Sequence, residues 1–414
     1  MEGLNRQEVM QIIDEKLRQL NLGNHYDIFC REHNPLDGTH KDFVQWDAIQ
    51  NRPDILGSFN APWVDVREFG ATGDRVTYDT TAFQAANDSL SNGGVILVPL
   101  GTYKLLGITL SDGVSLIGAG KSPTTGLPTM LDFSAVSGAD NSIFMTGASD
   151  INIENLYITG RDAGSGHEIA IGGNSRRINL KNLAINTSTT GSGICVGTSL
   201  INSEFHNIVT VGGLYGINIG ATSTSLGLYN CYCSGASGSG GAGYLIQGTY
   251  IGLYGCAADG DFFGYIIQNA SQIGLYNCGA ETTIRNAVHI VDSTGISLDV
   301  FRSHENNAGA NAAIPSFLDI QNSDRIKIDN CRDSSPNAAT INSIGSTTAD
   351  AGNNIVIVNP NFDKAIHSNV DKIRLDDGVF MPVLKSGTTQ GGAGAAAGEL
   401  WVDTDDANTI KQGT

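Results

Sequence analysis

The sequence has no apolar run near the roughly 20 residues needed to cross a bilayer as a helix, so membrane insertion is not expected. Positive charge is scarce: 24 Lys and Arg stand against 42 Asp and Glu, a formal net charge of −18. Phosphate backbones and anionic membrane surfaces are held by Lys and Arg, so a nucleic-acid partner and a membrane surface are both excluded as expectations. Only 16% of the residues carry charge. The seven cysteines include no Cys-x-x-Cys pair, which argues against a zinc site, and no metal or other cofactor is expected. The N-terminal stretch MEGLNRQEVMQIIDEKLRQL lacks the apolar core of a signal peptide, so Sec export is not expected. Synthesis in a reducing cytosol, with thiols serving as small apolar groups, fits this pattern.

Glycine is abundant, at 52 of 414 residues, and short apolar runs make the sequence 40% hydrophobic. That texture predicts many short strands and tight turns, an all-β class. A period emerges when apolar positions are aligned. Ile151, Ile178, Ser203, Leu226, Ile251, Ile273, Ile296, Ile326 and Ile355 fall in one column, with successive offsets of 27, 25, 23, 25, 22, 23, 30 and 29 residues. Four residues on, the column reads Asn155, Asn182, Asn207, Asn230, Gly255, Asn277, Val300, Asn330 and Asn359. A second strand column precedes the first, running from IFM at 143–145 to LDI at 318–320. Two strands per 22–30 residues predict a solenoid with turns roughly 4.8 Å apart, in which Asn amides hydrogen-bond along the stack.

The ends differ from this core. Met10, Ile13, Leu17 and Leu20 form a short a/d seam, read as an oligomerising helix over 1–22. Residues 23–62 are irregular and are read as a docking segment; His33, Asp37 and His40 within it fit no metal-ligand spacing. From 63 the stretches VREFGATGD, DTTAFQAA, GGVILVP and GTY resemble the N-terminal segment of the pectate-lyase-superfamily β-helix found in bacteriophage tailspikes and polysaccharide-degrading enzymes. Family members usually carry Gly where Arg75 stands and an acidic pair at Tyr78-Asp79. The resemblance implies a right-handed parallel β-helix over 63–380, with a helix starting near Thr81, capped by Asp79 or Thr80, that covers the first turn. Residues 381–398 read as a Gly/Ala-rich linker and 399–414 as a β-hairpin tip like those of phage tail fibres.

Candidate chemistry is sparse. Cys231, Cys256, Cys278 and Cys331 share a column with Leu156, Leu183, Ile208 and Phe301, which marks a core position. Three residues further lie Asp259, Glu281 and the pair His304-Glu305, a possible acidic ladder with carboxyls spaced as in a glycosidase. Asp261, Asp292, Glu204 and His206 are weaker candidates. Tyr229, Tyr254 and Tyr276 recur within GLYNC-type phrases and alternate outward, which suits either sugar stacking or burial between subunits. Arg325 and Lys327 match the Arg-x-Lys of polygalacturonase-like β-helices, but that family's other signatures are missing, so both read as outward strand residues.

The resemblance implies a homotrimeric virion fibre or tailspike. Residues 1–62 would dock it on a tail or portal-proximal protein, and the shaft and tip would bind a host surface glycan. An endo-acting depolymerase, hydrolase or lyase, and a secreted bacterial polysaccharide lyase are the alternatives. The binding reading is preferred because the acidic ladder is short and no family catalytic motif survives.

Overall fold

The computed structural model describes residues 62–121, 128–160, 164–187, 190–236, 238–308, 314–334, 343–347 and 352–358. It also describes, as backbone strands, 361–362, 373–375, 385–387, 400–403 and 409–412. The expected helix over 1–22, the docking segment to residue 61, the His33, Asp37 and His40 group and Asn359 lie outside the described residues.

From Trp63 the chain winds as a parallel β-solenoid with two main sheets, of 23 and 10 strands. The register matches the columns of the sequence position for position. Ile151 pairs with Ile178, Leu226 with Ile251, Ile273 with Ile296, and Ile326 with Ile355. In the ten-stranded sheet Ile143, Ile169, Ile194, Ile217, Tyr244, Tyr265, Val288 and Leu318 stack in one row.

Each turn feeds the larger sheet twice, through a long limb and a short limb joined at the Asn column. That corner is made by left-handed backbone. Asn155, Asn182, Asn207, Asn230, Gly255, Asn277, Val300 and Asn330 have φ between 49° and 63°. Asn tolerates this conformation better than most residues, which explains its recurrence. The amide chain expected along the column is confined to one end, where Asn182 donates to Asn155 and Asn207 to Asn182 at 3.1 and 3.2 Å. Further on, Gly255 interrupts it, and Asn330 instead donates to Asp329. Backbone geometry, more than side-chain bonding, accounts for the Asn.

A second left-handed column lies five residues earlier: Asp150, Arg177, Asn202, Ser225, Tyr250, Gln272, Gly295 and Arg325, with φ between 52° and 69°. Each of these eight long limbs is therefore a four-residue strand bracketed by two left-handed residues. Each bracket adds one outward residue and so resets the alternation, much as a bulge does. Ile151, Ile153, Leu156 and Ile158 consequently all face the core.

The core holds the predicted cysteines, buried and free among the described residues. Their thiols are more than apolar filler, because Cys231, Cys256, Cys278 and Cys331 each donate to a carbonyl of the preceding turn, Phe205, Leu228, Leu253 and Leu298 respectively. Burial pushes the Cys195 thiol up to about 11 and Cys331 to about 12, so both are inert. Tyr244 and Tyr265, wholly buried and stacked at 4.6 Å, donate to the carbonyls of Cys231 and Cys256.

The helix Thr80–Ser89 buries Phe83 and Ala86. Asp79 does not cap it by side chain; its carboxylate instead accepts from the Thr72 and Gly73 amides, fixing the preceding turn. Gln84 bonds the Thr109 amide and Asn87 the Ser111 amide. These amide side chains satisfy the edge of the ten-stranded sheet, whose end strand is Ile108–Thr109. Arg75, where the resembling family has Gly, indeed adopts a left-handed φ of 71°. At the C-terminal end Leu400–Asp403 and Thr409–Gln412 form the expected hairpin. Lys385–Gly387, inside the stretch read as linker, is a strand paired in parallel with Leu400–Asp403.

One acid among the weaker candidates belongs to the interior. Asp261 is fully buried; one carboxylate oxygen accepts from the Ala236 amide at 2.6 Å and the other has no hydrogen-bond partner. Burial pushes its carboxyl up to about 7. The folded chain thus holds a proton that the unfolded chain releases near 3.8, so this stability is full below 3.8 and is lost as pH rises toward about 7. Denaturant melts between pH 4 and 8 should show wild type losing on the order of 3 kcal/mol relative to Asp261→Asn across that window. Parallel pH curves for the two proteins would refute the assignment.

Candidate functional site

The outward face of the long limbs carries a groove of about 830 Å3. Two outward positions per limb build it, and the sequence varies there freely because neither reaches the core. In three successive turns the first position is glycine and the second tyrosine: Gly227 and Tyr229, Gly252 and Tyr254, Gly274 and Tyr276. Each tyrosine ring folds back over the glycine two residues before it. A methyl group on Gly227 or Gly252 would sit 2.5 or 2.7 Å from ring carbon Cε2, and Gly274 is covered in the same way by Tyr276. Glycine is therefore required under the ring, not merely tolerated.

The rings stack along the solenoid axis. Tyr229 to Tyr254 and Tyr254 to Tyr276 are 5.0 Å apart and within 14° of parallel, and His206 continues the stack onto Tyr229 at 4.5 Å. This spacing matches the roughly 4.8 Å rise between strands. The stack consumes the ring faces, so Tyr229 and Tyr254 offer edges and hydroxyls to solvent. Only Tyr276, whose next-turn neighbour is Asp299, keeps one face without an aromatic partner.

Across the groove stands Tyr250, which the sequence did not single out. It is 64% exposed, at a left-handed φ of 55°, between Ser225 and Gln272 in the neighbouring turns, with no ring stacked on it among the described residues. For a bulky aromatic this backbone conformation is a genuine outlier. The spacing could have revealed it, since Tyr250 falls five residues before the Gly255 corner like every other left-handed residue of its column.

Polar groups complete the groove. Glu204 Oε2 lies 2.9 Å from His206 Nε2, directly before the tyrosine stack. The Arg177 guanidinium grips Asp150 at both oxygens, 2.5 and 2.7 Å, and this hydrogen bonding holds the Asp150 carboxyl below its usual range. Asn179 donates to Asn152 at 3.1 Å.

The acidic ladder sits elsewhere, on the short limb. Asp259, Glu281 and His304 are register partners in consecutive turns, and Glu305 follows at a left-handed residue. Asp259 is committed: its two oxygens accept from Tyr232 at 2.9 Å and Thr282 at 2.5 Å. His304 Nε2 lies 3.9 Å from Glu281 and 3.7 Å from Glu305. None of the four lines the groove. Asp292 is an exposed corner residue accepting from Asn322. Arg325 and Lys327 are outward and pair locally with Asp324 and Asp329. Among the described residues no three His, Cys, Asp or Glu converge as a metal site.

Residues 63–138 match the protein family described as rhamnogalacturonase A/epimerase, pectate lyase-like. Mannuronan C5-epimerase AlgE5 of Azotobacter vinelandii is 27% identical over 276 residues, 51% of this chain; the match spans only 26% of that protein's own length. The A-module of Azotobacter vinelandii mannuronan C-5 epimerase AlgE4 superposes with a TM-score of 0.57 at 18% identity, covering 76% of this chain and 97% of the module. The enzymatically active domain of tailspike protein 2 of bacteriophage CBA120 gives 0.53 at 15% identity, covering 72% of this chain and 47% of that one. The chain is a parallel β-solenoid whose residues 63–138 match a pectate-lyase-like family, and a phage tailspike is among its structural neighbours.

Proposed function

We propose that this chain is a fibre or tailspike protein of a phage virion that binds a host surface polysaccharide through the long-limb groove. Residues 1–62 dock it on a tail or portal-proximal protein, and three copies associate in parallel. Tyr250 is the observation that carries the binding reading. A free aromatic ring held in a strained conformation beside a groove is what a sugar-stacking residue looks like, because rings offer apolar faces to the C–H faces of saccharides. The tyrosine hydroxyls and the Asn152–Asn179 amides supply hydrogen bonds to hydroxyl groups from the groove wall. A curated relative named for its action on mannuronan and a tailspike neighbour both support a carbohydrate ligand.

One observation favours cleavage as a second reading. Glu204, which lines the groove, pairs with the His206 imidazole beside it, better placed for a bound chain than the Asp259, Glu281, His304 and Glu305 edge.

Tyr250→Gly separates binding from folding. Relief of the left-handed strain should raise stability by about 1 kcal/mol, while loss of the ring weakens binding of host polysaccharide roughly five- to tenfold. Unchanged affinity, measured by surface plasmon resonance on immobilised host glycan, would refute the groove. Reducing-end assays on the same polysaccharide address cleavage. The binding reading expects no product from wild type; product lost in Glu204→Gln but kept in Glu281→Gln would establish the enzyme reading at the groove.

A further inference from the structure

On the short limb, apart from the groove, a cavity of about 470 Å3 is lined by Val300, Arg302, His304, Asn330, Arg332 and their neighbours. Arg302 and Arg332 are register partners in adjacent turns, so two guanidiniums start from backbone positions one strand spacing apart. Both are exposed, and neither holds a carboxylate among the described residues. In contrast, Arg67, Arg177 and Arg325 each pair with an aspartate. Like charges in register oppose each other, and in a chain of net charge −18 acidic partners are plentiful. The pair therefore stands without a carboxylate partner among the described residues.

His304 closes one side. Its Nδ1 lies 3.1 Å from Ser334 Oγ, while its Nε2 faces Glu281 and Glu305 at 3.9 and 3.7 Å, and neither glutamate pairs with the two arginines among the described residues. Val300 is the second signal. It occupies the left-handed corner at φ 56°, where six of the eight described turns have Asn and one has Gly, and it is 38% exposed. A β-branched residue is poorly suited to that conformation, and here it removes an amide and leaves an apolar wall.

We propose that this cavity binds an oxyanion substituent of a saccharide, with Arg302 and Arg332 gripping the anion, Asn330 hydrogen-bonding hydroxyls and Val300 packing on the sugar's C–H face. The shared chemistry is a multidentate oxyanion, which guanidinium forks match better than a point charge does. It is carried either by a carboxylate, as in a uronic acid, or by a sulfate or phosphate ester. The site does not depend on the groove, so Tyr250→Gly should leave it unchanged.

The full chain should be titrated with glucuronate, glucose 6-sulfate, glucose 6-phosphate and glucose, followed by calorimetry or by NMR of the ligand. At least one anionic sugar should bind saturably and weaken with added salt, while glucose should not bind; the arm that binds names the anion. Arg302→Gln and Arg332→Gln, both at exposed positions, should each weaken that binding about five- to tenfold. Val300→Asn should bind less tightly yet melt no lower than wild type, because Asn suits the corner. Absence of saturable binding in all three anionic arms would overturn the proposal, as would unchanged affinity in the Arg302→Gln/Arg332→Gln double variant.

Discussion

The left-handed corner is the constraint on which the rest of this structure depends. A non-glycine residue in that conformation costs roughly 1–2 kcal/mol, yet each of the eight long limbs from Asp150 to Asn330 carries at least one, and six carry two. The solenoid makes them unavoidable, because the corner amide is committed to the next turn. Asn207 donates to Tyr229, Asn230 to Tyr254, Gly255 to Tyr276, Asn277 to Asp299, and Val300 to Asp329. Relaxing one corner would break that bond and shift the alternation that keeps Leu183, Ile208, Cys231 and their column inside. Neighbouring turns thus over-determine the backbone, the condition under which local strain persists.

It follows that strain at a corner is a property of the position, whereas the residue type there is a choice. Asn155, Asn182 and Asn207 take the position at low cost. Tyr250 and Val300 do not, although Asn or Gly would serve the fold equally well at either site. At these two positions the informative feature is the mismatch between side chain and conformation, and both positions border a cavity.

Much of this architecture was legible in the sequence, because inward columns are written in residue type. Ile151 through Ile355, the IFM-to-LDI row and the cysteine positions all read correctly, since burial in a stacked core admits few alternatives. The first left-handed column was legible only as a fixed spacing of five residues before the Asn corner, because Asp150, Arg177, Ser225 and Tyr250 share no chemistry and only their backbone torsion unites them. Nor was the orientation of the tyrosine rings. Outward alternation gave their side of the sheet, but folding back over Gly227, Gly252 and Gly274 is a side-chain choice that alternation does not encode. Asp79 was half misread for a related reason: it stands at the N-cap position, but its carboxylate accepts from the Thr72 and Gly73 amides and not from the helix.

The two cavities differ in a way that the chain's charge makes meaningful. A net charge of −18 repels anionic polymers at long range, and screening confines any local attraction to about 8 Å at physiological salt. Arg302 and Arg332 therefore cannot gather ligand from a distance; they act only on a group already at the surface. The tyrosine groove carries its one exposed guanidinium, Arg177, already paired with Asp150, so contact there is made by apolar edges and neutral donors that are insensitive to the field. A polymer held by such contacts would be sorted, not captured, by the arginine pair. That division of labour gives the acidic background a role, since the net negative field opposes anionic groups away from Arg302 and Arg332 and so biases how a charged chain lies.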